Sequence, residues 1–177
     1  PGELDRPDYD RLTADRHPRL LMDDEAFGSL MEQVRAGNNQ VLNRLHATNL
    51  RNADIYGLAA APLAYQLDAA EKRILHISNA ALLRIFSCAY AYRATGDRKY
   101  LDHAENDINT VCNFPDWNGH RHYLDVGEMA AAVALGYDWL YADLKPETRA
   151  NAERALREYG FDTAEPYGSS FYNKVSN

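Results

Sequence analysis

The sequence holds little of several things that would narrow its class. Two cysteines, Cys88 and Cys112, are too few for a disulfide-built domain. Both fall on helical patterns, where a free and buried thiol is the expected state. No apolar run approaches the ~20 residues that span a bilayer, so a membrane is not an expected partner. No alternating run of β-branched residues is long enough to read as a strand. Positive charge is in deficit, with 19 Lys and Arg against 26 Asp and Glu and a net charge of −7. That balance argues against nucleic acid as a partner, although a local cluster of Arg and His can still hold an anion. A methionine is missing from the first position, so an upstream segment, removed or left out, is expected, and a cleaved signal peptide would not be visible.

What is present is a succession of helical patterns with their punctuation. Residues 1–22 are polar and broken by Pro1, Pro7 and Pro18, and read as an extended lead-in ending in HPRLLM. A single domain is expected over 23–177. Asp23 or Asp24 caps a first helix, with Phe27, Leu30, Met31 and Val34 on one face and Gly37 at its end. A second helix is expected from Asn39 to about Asn52, carrying Val41, Leu42, Leu45 and Leu50. Pro62 predicts a break or a helix start within 59–65. The longest periodic element runs from Asp68 to Thr95 and stops at Gly96. Asp97 caps the next helix, and its acids Asp102, Glu105 and Asp107 read as a solvated face. Residues 113–122 form a loop. The following helix reaches Tyr141, and Leu144-Lys145-Pro146-Glu147 opens another that ends near Gly160. The chain is therefore expected to be all-α, built of antiparallel helix hairpins.

Trp117 to Tyr141 joins two kinds of sequence. Ala130, Ala131, Ala132, Ala134 and Gly136 permit close helix packing, and Asp138 and Trp139 are expected to be structural. At the helix entrance Trp117, Asn118, His120, Arg121, His122 and Tyr123 offer flat faces and hydrogen-bond donors, as a sugar-binding cleft does. His120, His122, Asp125 and Glu128 are metal-type donors, but without a metal-binding spacing no metal is expected. Glu128 is either a buried acid paired with an Arg or a group facing the groove. His76 reads as a core or boundary residue, and His17, His46 and His103 stand without a constellation.

HPRLLM at 17–22, AYAYRATGDRKYLDHA at 89–104 and HYLDVGEMAAAVALGYDWLYADLKPETR at 122–149 together resemble the N-terminal helical domain of heparinase II/III-like polysaccharide lyases. The resemblance implies part of an incomplete (α/α) toroid, which in this family is followed by β-sandwich layers. It implies cleavage of a uronic-acid-containing polysaccharide by β-elimination, with no cofactor in this region. That chemistry needs neutralisation of the uronate carboxylate, a base for the C5 proton and an acid for the departing oxygen. On the match, Asn177 is the candidate catalytic amide that faces the carboxylate. Trp117, Asn118, His120, His122, Tyr123, Tyr172 and Asn173 are candidate substrate contacts. The family's catalytic Tyr falls beyond Asn177, so the remaining toroid and the β-sandwich are the expected partners of this chain, and the chain alone is expected to be inactive. The implied setting is periplasmic or secreted. Two other classes fit the same pattern: a non-catalytic glycan-binding or scaffold module, and an α/α-toroid glycoside hydrolase acting on unsaturated oligosaccharides.

Overall fold

A computed structural model describes residues 16–164. Among them the chain is all-α, with helices packed on helices and no strand. The elements are α1 (Asp24–Ala36), α2 (Gln40–Asn52), α3 (Leu75–Thr95), α4 (Arg98–Cys112), α5 (Tyr123–Leu140) and α6 (Pro146–Ala155). Two of them run on into π-helical turns, α2 through Ala53–Leu58 and α6 through Leu156–Phe161.

Local chemistry sets most of the boundaries. Asp23 accepts from the Ala26 N–H at the start of α1, and Gly37 ends that helix in the left-handed region. Asn39 caps α2 through the Leu42 N–H. Gly96 at φ +73° terminates α3, and Asp97 caps α4 one residue later, through the Lys99 N–H. So tight a connection makes α3 and α4 an antiparallel hairpin. Pro146 occupies the first turn of α6, where a missing N–H costs nothing. Each cap of this kind contributes about 1 kcal/mol.

Three expectations are corrected. The long helix begins at Leu75, not Asp68, because the Asp68 carboxylate accepts from the Glu71 and Arg73 N–H groups and folds 68–73 into a turn. Its apolar stripe is anchored instead by Ile74, fully buried at the helix start. On α4, Glu105 and Asp107 are buried, each held by a cation or a donor from another helix. His76 is exposed rather than part of the core. Helix α2 has no buried residue: Val41 and Leu45 face outward, while Leu50 packs against the core.

Helix α3 lies at the centre, packed mainly against α5 and α4. Small residues let these helices approach. A Cβ on Gly136 would stand 2.4 Å from Ile85 Cγ2 and 2.9 Å from Ile108 Cδ1, so this position admits no side chain without movement. One ion pair crosses the same interface. The Arg84 guanidinium donates from Nε and Nη2 to the two oxygens of Asp107 at 2.8 and 2.9 Å, both side chains being buried. Removing one partner of such a pair strands the other charge and costs about 3–5 kcal/mol. Cys88 and Cys112 are free and buried, as expected.

Candidate functional site

The loop that leads into α5 does not present its residues as one surface. Trp117 is buried, donating from Nε1 to the Val111 carbonyl at 3.0 Å and meeting the Tyr159 ring edge-on. Asn118 is equally buried at φ +61°, a left-handed position that Asn tolerates. Its amide donates to the Lys72 carbonyl and to Asp125 Oδ2. Neither side chain offers a face to a saccharide, which corrects their expected place in a groove. The indole fills the gap between the ends of α4 and α6, and the Asn amide satisfies main chain that would otherwise be buried unpaired. The Tyr123 hydroxyl donates to the Gly160 carbonyl at 2.8 Å. What remains outward is His120, exposed, and His122, half-exposed with an Nδ1 that has no hydrogen-bond partner. Tyr172, Asn173 and Asn177 lie outside the described residues.

The acids of this region are committed to the fold. Asp125 is fully buried and accepts from Arg73 Nε and Nη2 and from the Ile74 N–H. Glu128 accepts from the Ser78 hydroxyl at 3.0 Å, so its partner is a hydroxyl and not an Arg. Among the described residues no group of three or more His, Cys, Asp or Glu side chains is placed to hold a metal ion. Asp116 accepts from the Tyr65 hydroxyl at 2.7 Å, and burial together with that carboxylate pushes the phenol up to about 12.

The three histidines without sequence context all have partners. His46 Nδ1 meets the Tyr90 hydroxyl at 2.8 Å. His103 Nε2 lies 3.1 Å from Arg84 Nη2 and 3.2 Å from Asp107. His17 Nδ1 lies 2.6 Å from Asp138 Oδ1, and its ring stacks on Tyr141 at 4.0 Å.

Around His17 the chain builds its most developed cluster. Asp138, near the end of α5, accepts from the Arg19 and Leu20 N–H groups at 2.8 and 2.7 Å. The neighbouring Trp139 donates from Nε1 to the Leu20 carbonyl at 2.8 Å. This is the structural role expected of Asp138 and Trp139, and it clasps the lead-in onto α5. Arg93, from the last turn of α3, lies over the rings of Phe27 and Trp139, 4.1 and 4.7 Å from their centroids. Its Nη2 donates to Asp24 at 3.0 Å, whereas its buried Nη1 has no acceptor. Burial holds this guanidinium below its ordinary value, against the opposing pull of Asp24. Burial, and then the Asp143 carboxylate, push the Tyr92 phenol up.

Together these groups line a pocket of about 350 Å³ between the lead-in, α1 and the ends of α3 and α5. It combines a cation with an unused donor, an imidazole held through one nitrogen, carboxylates and aromatic walls. Sequence reading missed it because His17, Arg93 and Tyr141 are far apart along the chain. The one local signal was a charged Arg93 closing the aromatic run AYAYR. Compared with known proteins, the chain matches no family model and no curated protein.

Proposed function

We propose that the chain is the helical, toroid-forming part of a periplasmic or secreted polysaccharide lyase that cleaves a uronic-acid-containing polysaccharide by β-elimination. One observation carries the reading. The three stretches that resemble heparinase II/III-like lyases converge on a single residue, Trp139. Leu20 of HPRLLM accepts its indole N–H, Arg93 of AYAYRATGD lies over its ring, and Trp139 itself belongs to YDWLY.

In the reaction a base removes the C5 proton of the uronate, the electron pair forms the C4–C5 double bond, and the C4–O bond breaks. The departing oxygen then takes a proton. In this reading the Asn177 amide faces the uronate carboxylate, and His120 and His122 touch the polymer from the outward side of the loop. Trp117, Asn118 and Tyr123 act by holding that loop. The test uses the full-length protein as its gene encodes it, incubated with alginate, heparan sulfate and polygalacturonate. Rising ultraviolet absorbance from the unsaturated uronate product is expected on one of them. No rise on any would overturn the reading.

A second reading, a non-catalytic helical scaffold, is favoured by the burial of Trp117 and Asn118, which leaves few stacking faces at the loop. It expects neither unsaturated product nor retardation in polysaccharide-containing gels.

A further inference from the structure

The pocket beside His17 is not used by the elimination chemistry, and its composition is that of a ligand site. A buried cation needs compensation, and Arg93 has it from the Asp24 carboxylate and from the rings of Phe27 and Trp139. Its side chain is 8 % exposed, its Nη2 reaches Asp24, and its Nη1 is left without an acceptor. His17 is also largely buried, at 10 % exposure, with Nδ1 held 2.6 Å from Asp138. The pocket thus sets a cation with an unanswered N–H against apolar walls from Phe27 and Trp139.

Charge decides what kind of molecule fits. The pocket is lined by the Arg93 guanidinium and by the carboxylates of Asp24, Asp138 and Asp143. The charge of Asp138 is answered by two main-chain N–H groups and His17, but Asp24 and Asp143 lie at the exposed rim. An anion entering here meets more negative than positive charge. A hydroxyl group suits the same walls, since it accepts from Arg93 and donates to Asp24 or Asp143. A volume of about 350 Å³ accommodates one sugar ring, whose C–H faces pack on the aromatic walls.

We propose that this pocket binds a neutral, hexose-sized saccharide residue. The site uses none of the residues assigned to the uronate reaction and has the opposite charge preference, so it stands or falls independently of the lyase reading. The test follows the Trp139 indole N–H by NMR during titration with methyl glucoside, methyl galactoside and methyl mannoside, with galacturonate as the anionic comparison. A saturable shift at millimolar concentration is expected with at least one glycoside, and weaker or no binding with galacturonate. Ala142→Trp fills the pocket from an exposed position and is expected to abolish the shift. Arg93→Gln is expected to weaken binding about tenfold, the loss of a charge-assisted hydrogen bond. No saturable shift with any of the three glycosides would overturn the proposal. Galacturonate binding as tightly as the glycosides would do so too, as would a shift that survives Ala142→Trp.

Discussion

Replacing Gly136 by alanine tests how closely the central helices are packed. Alanine is the better helix former by about 1 kcal/mol, so an open site on α5 would gain stability from the change. Gly136 is not open. The added methyl would lie 2.4 Å from Ile85 Cγ2 and 2.9 Å from Ile108 Cδ1, against the ~3.5–4.0 Å of normal carbon contact. Both isoleucines are fully buried on different helices, so neither can rotate into solvent. Overpacking of this degree costs about 1–3 kcal/mol, and an overlap above 1 Å with one neighbour points to the upper part of that range. After the propensity gain, a net loss of about 1–2 kcal/mol is expected, or a fall in Tm of about 2–8 °C for a chain of this size. Gly127, on the same helix with nothing within 4 Å of its virtual Cβ, is the internal control. Gly127→Ala should raise Tm where Gly136→Ala lowers it, as read by calorimetry on both variants. Adding Ile85→Ala to Gly136→Ala should cost less than the sum of the two single changes, because the first removes the methyl with which the second collides. Equal signs for the two glycine variants would refute the packing argument.

Asp138→Ala should cost about 2–4 kcal/mol in urea denaturation, because it removes the single oxygen, Oδ2, that accepts from both main-chain N–H groups. Hydrogen exchange at Arg19 and Leu20 should accelerate with it, and unchanged protection would rule out the clasp. Burial of Glu105 favours its neutral form, but bonds from the side chain and N–H of Lys145 and from Thr148 outweigh it and hold the carboxyl below its usual value. A depressed folded-state value means stability that is present above the unfolded glutamate value of ~4.3 and lost as pH falls through the folded one. The Tm gap between the protein and Glu105→Gln should therefore shrink below about pH 4, and a gap independent of pH would contradict this. Burial, followed for Cys88 by the nearby Asp107 charge, pushes both thiols up to about 12. Iodoacetamide at mildly alkaline pH should then label neither cysteine until the chain is unfolded, and prompt labelling of the native protein would disprove it.

Features written within a few residues of one another were readable in advance. Asp23, Gly37, Asn39, Gly96, Asp97 and Pro146 do what such residues do at helix ends, because a cap needs only the next turn of chain. The all-α class followed from the same periodicity. Asp68 shows where local reading fails, since an acid ahead of an apolar stripe can cap a turn as readily as it opens a helix. Glu105 and Asp107 were misplaced for a different reason. Their partners Lys145 and Arg84 sit on other helices, and nothing near the acids announces them. The same holds for His17, His46 and His103, each completed by a residue from another element. Trp117 and Asn118 have the composition of a cleft and the burial of a core, a distinction that depends on which way the loop turns.

The clasp at Asp138 also orders events in time. His17 and Asp138 are 121 residues apart, so their contact must wait until α5 has been made. At ~5–20 residues per second, a ribosome needs about 6–24 s between adding one and adding the other. The α3–α4 hairpin, made of neighbouring residues, can assemble during that interval. The segment around His17 has no seat until α5 exists, so the pocket it completes follows the hairpin.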